Sequence, residues 1–207
     1  MHNPKTNTPC SKGNRDRSAF TLDEVKRMFK ELPYNRIGLS IRLLLATGMK
    51  PKELLALEPH HISEDGSIIA IEQELHVDGQ NVFIGSTKTP YGCRHIPAPS
   101  ILHMAVRELR NTCTNYIWED SLSKIPCHPS VFRFEYRSAL KAIHDIRVLP
   151  PYRCRHTYIL MMETLGTNTQ LLQQITGQAS RNIMGEYLRF DLLSAEESVE
   201  ALVALLS

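Results

Sequence analysis

Between Ile62 and Pro99 the chain leaves helical spacing for strand spacing, and it does so only there. Asp65-Gly66 and Asp78-Gly79 are turn signals, and β-branched segments surround them at Ser67–Ile71, Asn81–Ile84 and Arg94–Ile96. An Asp-Gly pair favours a tight reversal, because glycine enters positive φ without steric cost. Pro97 and Pro99 end the stretch. One small three-stranded antiparallel sheet inserted into an otherwise helical chain is therefore expected, a mainly α fold of the α+β kind.

The helical part has its own punctuation. Thr21 and Glu24 form a capping box ahead of an apolar stripe, Val25, Met28, Phe29 and Leu32. A second helix carries Ile37, Ile41, Leu44 and Leu45 and stops at Gly48. Pro51 suits the first turn of a short third helix reaching about Leu57. Beyond the sheet, helices are expected over about Ser100–Thr112, after Pro129, from about Pro151 or Arg153 to Leu165, over Thr169–Thr176, and from Ser180 to about Arg189. Ser194 and Glu197 read as a second capping box, followed by a stripe of Val199, Leu202, Val203 and Leu206. Residues 1–18 are polar, basic and aperiodic, and read as a disordered arm or the remnant of a linker.

Composition bounds the function classes. A hydrophobic share of 42% suffices for a sizeable core. No apolar run approaches the ~20 residues of a membrane helix, and the first residues contain no apolar signal-peptide core. Five scattered cysteines without a CxxC pair point to a reducing cytoplasm rather than to disulfides or a zinc site. Net charge is +2, but residues 192–207 hold three glutamates and no lysine or arginine, so the body carries 24 basic against 19 acidic residues. A mildly basic body permits nucleic-acid binding without demanding it. His60-His61 lack spaced acidic or cysteine partners, so no metal is expected.

Five segments carry a resemblance. Leu44–Leu57, LLATGMKPKELLAL, contains A-T-G-x-x-x-x-E-L as Ala46, Thr47, Gly48, Glu53 and Leu54. Thr87–Pro97 reads TKTPYGCRHIP, Tyr152–Thr157 reads YRCRHT, Ile175–Ser180 reads ITGQAS, and Glu186-Tyr187-Leu188 follows nine residues past Gln178. In order and spacing these resemble the conserved boxes of the tyrosine recombinases, the phage-integrase family, over Thr21 to about Phe190. The resemblance implies the family's catalytic-domain fold over residues 19–191, with the family's core-binding domain lying before Ser18; the amphipathic helix at 192–207 either packs on its own domain or, as the family's equivalent helix does, docks in trans.

It also implies a chemistry. Tyr187 is placed as the nucleophile that forms a 3′-phosphotyrosine, Arg155 as a phosphate clamp and Lys88 as the general acid, in cutting and rejoining of duplex DNA without metal, ATP or other cofactor. A phenol with a pKa of ~10 needs positive surroundings to attack at neutral pH, and the charge gathering on phosphorus needs fixed donors. Three positions depart from the family pattern. Lys50 stands at the first catalytic arginine, Tyr152 at a histidine and Gln178 at the second histidine. Lysine keeps the charge but loses the bidentate fork. Tyr152 and Gln178 retain hydrogen-bonding groups for a phosphate oxygen. Two functions follow as alternatives: a divergent active recombinase, or a recombinase-fold DNA-binding protein with weak or lost catalysis. The expected partners are duplex DNA and further copies of the chain, a monomer when free and a tetramer in synapsis. Read without the resemblance, Lys88 and Arg94 would be solvated hairpin charges, and His156 is read as structural.

Overall fold

Helix α2, Arg36–Thr47, is buried on every side from Ile37 onward. A helix apolar all round has to sit inside a protein. The other elements gather on it: α1 (Leu22–Glu31), α3 (Pro51–Leu54), α4 (His103–Thr112), α5 (Pro129–Lys141), α6 (Tyr152–Thr164) and α8 (Leu192–Leu206). A short helix α7 (Thr169–Thr176) bridges α6, α8 and the sheet region. The computed structural model describes residues 18–87, 92–178 and 192–206. No described helix is long and apolar enough to cross a membrane.

Two large polar side chains within this core are hydrogen-bonded there. Arg42 is fully buried on α2 and donates to the carbonyls of Phe29, Leu32 and Pro33, closing the C-terminal end of α1. Trp118 is fully buried, donates its indole N–H to Ser40 Oγ at 2.8 Å, and meets Phe132 edge-on at 5.0 Å. These bonds matter because an unpaired polar group in such a core costs about 1–3 kcal/mol.

The expected mainly α fold with small antiparallel sheets is the fold observed, but its strands are arranged differently. Strands β1 (Ile68–Ile71) and β4 (Arg94–Pro97) form one ladder, and β2 (Gln73–Asp78) and β3 (Asn81–Ser86) another. The two ladders are halves of a single ribbon. Ile71 pairs with Arg94 and Gln73 with Ser86, so only Glu72 separates β1 from β2, whereas residues 87–93 separate β3 from β4. A ladder cannot run across seven residues opposed by one. All three expected segments are strands, β1, β3 and β4; the strand not expected is β2, and Ile62 adds a single bridge to Ile69. Gly92 is required where the excursion returns, because a Cβ there would lie 2.3 Å from the Thr87 side chain.

Helix α8 buries Ala195, Val199, Leu202 and Leu206 against its own domain, and Glu200 accepts from Ser100 N at 2.8 Å and Ser100 Oγ at 2.7 Å. The capping box expected at Ser194 and Glu197 is not formed. The helix already runs from Leu192, so Ser194 has helical neighbours and its carbonyl accepts from Ser198 Oγ. An N-cap needs extended backbone instead. The helix expected after Ser180 lies outside the described residues.

The Thr21–Glu24 capping box is present, and Glu24 does more than cap. Its carboxylate also takes the Arg147 guanidinium, at 2.8 and 2.6 Å, so α1 is tied to the loop that leads into α6. Burial alone would raise the Glu24 pKa, but the bonds from Arg147 and Thr21 overrule it and hold it at about 2. A depressed carboxylate stabilises the fold above its unfolded pKa and loses that contribution as pH falls toward the folded value. Thermal stability should therefore fall as the pH drops from about 4.5 to about 2. Glu24→Gln should lower the melting temperature near neutrality and flatten that descent. An identical pH profile in the variant would show that the pair contributes nothing.

Candidate active site

The site is assembled around two backbone carbonyls. Arg155 sits on the buried face of α6 and is 2% exposed. Its Nη1 donates to Gly48 O at 2.7 Å and its Nη2 to Thr176 O at 2.6 Å. These carbonyls end α2 and α7, and both helices close on a left-handed glycine, Gly48 and Gly177. Gly48 is demanded twice over. Its φ is +65°, and a Cβ would lie 2.3 Å from the ring of Tyr158, one turn along α6 from Arg155. Burial lowers the Arg155 pKa, opposed by the charge of Glu53 and by the Tyr152 phenol. Arg155 Nε is buried and finds no partner among the described residues.

The chain leaving Gly48 delivers Lys50 at the N-cap of α3, where its ammonium lies 3.3 Å from Glu53 Oε1 and 3.9 Å from Glu74 Oε2. A cation at a helix start opposes the helix dipole. Two fully buried carboxylates offset that misfit here. Glu53 in turn receives Arg94 in a two-toothed pair, Nη1 to Oε1 at 3.0 Å and Nη2 to Oε2 at 2.9 Å. Arg94 also donates to Ile175 O at 2.7 Å and Gly92 O at 2.9 Å. Burial would raise the Glu53 pKa, but Arg94 and Lys50 bring it below the ordinary value. Glu74 holds Lys52 in a short ion pair, and His76 Nε2 lies 3.8 Å from the same carboxylate.

Of the residues predicted for the site, Lys50, Arg155, Tyr152 and Gln178 are described, and they are brought to one region. Lys50 lies two residues past one carbonyl held by Arg155, and Gln178 two residues past the other. Gln178 is exposed, just beyond the end of α7. Tyr152 opens α6 one turn before Arg155 and is 56% exposed. Lys88 and Tyr187 lie outside the described residues. On either side of the segment bearing Lys88, Thr87 and Gly92 are described, and Gly92 O accepts from Arg94.

Arg94 is not a solvated hairpin charge, as it read in isolation. It shares the inward face of β4 with Ile96, which strand alternation already implies. Glu74 and Lys52 were missed altogether. Glu74 and its neighbour Leu75 are both buried, so β2 gives no alternating pattern there.

His60 and His61 do gain an acidic neighbour through folding, since their ring nitrogens and a Glu72 oxygen lie within 4.8 Å of one another. The arrangement is nonetheless poor for a metal. His61 Nδ1 accepts the Glu58 amide N–H at 3.0 Å, which leaves the proton of the neutral ring on Nε2, the atom facing Glu72. A metal-bound histidine has the opposite polarity, donating through its other nitrogen.

No family model and no curated protein sequence matches the chain. Solved structures do. The Tn1549 transposon integrase, in a complex with transposon right-end DNA, superposes with a TM-score of 0.69 at 18% identity over 93% of this chain and 69% of that one. The chain has the tyrosine recombinase catalytic-domain fold. XerA recombinase follows with a TM-score of 0.62 at 18% identity, covering 95% of this chain and 66% of its own, and the integrase of mycobacterium phage Brujita with 0.65 at 11%, covering 97% and 66%. This chain thus spans about two thirds of the length of each.

Breaking the Arg94–Glu53 pair from one side should be far costlier than removing it whole. Arg94→Met would leave a buried carboxylate with less compensation, at about 3–5 kcal/mol. Adding Glu53→Leu should recover part of that loss in urea unfolding. Equal losses in the single and double variants would show that the pair is not the anchor.

Proposed function

We propose that this chain is the catalytic part of a DNA strand transferase, cutting and rejoining duplex DNA through a phosphotyrosine. The observation that carries this reading is a charge surplus. Four cations, Lys50, Lys52, Arg94 and Arg155, converge on two carboxylates, Glu53 and Glu74, with Arg155 Nε left unpartnered among the described residues. Half-buried positive charge beyond what the protein itself neutralises calls for an anion, and a backbone phosphate supplies one. The fold supports the same reading, because the integrase and the XerH recombinase that share it are seen bound to DNA.

In the proposed reaction Tyr187 Oη gives its proton to solvent water and attacks the scissile phosphorus, and the 5′-oxygen leaves, taking a proton from Lys88. The 3′-phosphate stays on the tyrosine until a 5′-hydroxyl reverses the step. No nucleotide is needed, because the bond energy is conserved, and in this proposal side-chain cations take the part a metal would otherwise play. Arg155 and Lys50 offset the charge that grows on the non-bridging oxygens, and Tyr152 and Gln178 donate to them. A tetramer on two duplexes belongs to this proposal. In it, docking of α8 on a neighbour would first have to break the Glu200–Ser100 bonds.

A nicked duplex that traps the covalent state tests the reading. An adduct should form with the native chain and be absent in Tyr187→Phe, and duplex affinity should fall steeply with salt because the contacts are to phosphates. Salt-dependent binding without any adduct would leave a recombinase-fold DNA-binding protein. Absence of binding to any duplex would end both versions.

A further inference from the structure

A guanidinium offers a phosphate two parallel N–H bonds, while a single ammonium offers a point charge. Lys50 occupies the position that resembles the first catalytic arginine and by itself cannot replace that fork. The surroundings of Lys50 contain a second ammonium, paired with the same carboxylate. Lys50 Nζ lies 3.9 Å from Glu74 Oε2, and Lys52 Nζ pairs with the other oxygen of the same carboxylate, Oε1. Pro51 between them opens α3, fixing the backbone between the two lysines.

Three further observations separate this pair from ordinary surface lysines. Glu74 is fully buried, so the anchor is rigid and carries its charge away from bulk water. Glu53 also holds Lys50, at 3.3 Å, but it is shared with Arg94, so Glu74 is the carboxylate that Lys50 has in common with Lys52. The lysine side chains keep 23% and 35% exposure, so each retains a face open to a ligand. With Arg94 and Glu53 counted in, three cations stand against two carboxylates, which leaves one positive charge over.

We propose that Lys50 and Lys52 form a divided phosphate clamp, spaced by the two oxygens of Glu74, in place of a single guanidinium. The inference rests on the strand-transfer reading and deepens it. Lys52 becomes a phosphate-binding residue of the site. Glu74 is a positioning residue, acting only through the two lysines.

The test uses the full chain, a nicked duplex, and two readouts: the rate of covalent adduct formation and the slope of log affinity against log salt. Lys52→Ala should slow the adduct on the order of 10²-fold, as loss of one transition-state donor does. It should also make the salt slope shallower by about 1, as loss of one phosphate contact does. With Lys50→Arg already present, the same Lys52→Ala change should cost far less, because a full fork no longer needs a second ammonium. If Lys52 only neutralises Glu74, both readouts stay at the native level in Lys52→Ala, and the clamp is overturned. An equal cost in both backgrounds overturns it too, since a general charge contribution would be indifferent to residue 50. Should Lys52→Ala unfold by leaving Glu74 under-compensated, Lys52→Met with Glu74→Gln removes charge and partner together; native rates in that variant also overturn the clamp. If the native chain itself neither binds duplex nor forms an adduct, the strand-transfer reading falls, and the clamp falls with it. A native adduct with an indifferent Lys52 removes the clamp alone.

Discussion

Arg94 and Glu53 meet inside the protein with both guanidinium tips on both carboxylate oxygens, and the parts of the site take their positions from that meeting. Glu53 belongs to α3, Arg94 to β4, and the remaining Arg94 donors reach the carbonyls of Gly92 and of Ile175 at the end of α7. Three stretches of chain far apart in sequence are thereby held in one register. A buried pair of this kind contributes little net stability, because desolvating the two ions cancels most of their attraction. Its value is in what it forbids. Any arrangement that moves α3 from β4, or β4 from α7, strands a charge in the interior.

That constraint explains which parts of the molecule were legible in the sequence. Gly48 marked the end of α2, and Thr21 with Glu24 marked the start of α1, because such signals are local and concern backbone geometry. The resemblance placed Arg155, Lys50 and Gln178 in one region, where the carbonyls of Gly48 and Thr176 bring them. The strands were legible only in part: the segments of β1, β3 and β4 were visible, but not that β2 follows β1 past a single residue and pairs with β3, with seven residues between β3 and β4. Arg94 was readable from its place opposite His95 and beside Ile96 on the strand, had alternation been weighed above its charge. Glu74 and Lys52 were not readable. Their importance lies in a contact across 22 residues that no periodicity encodes.

Two kinds of cation emerge, and they differ in how much freedom they keep. Arg155 is pinned through both terminal nitrogens to the ends of two helices, so little motion remains to it. Such a donor requires no reorganisation as charge develops on a substrate. The carbonyls that hold it are those next to left-handed glycines, where a helix leaves oxygens without intrahelical partners. The guanidinium thus satisfies the helix ends while the helix ends aim the guanidinium.

Lys50 is held in a different way. An ammonium on a flexible stem has no plane to align, and it contacts its carboxylates at 3.3 and 3.9 Å rather than through a fork. Replacing arginine by lysine at such a place shifts the burden of orientation from the side chain to its surroundings. The surroundings answer with Glu74, buried beneath the lysine and charged, and with a proline that fixes the first turn of α3. The cost of burying Glu74 is met only while cations stay near it, and the lysines stay near only because Glu74 is there. Each side of that arrangement is unstable without the other, and this mutual dependence lets a flexible residue stand in the place of a rigid one.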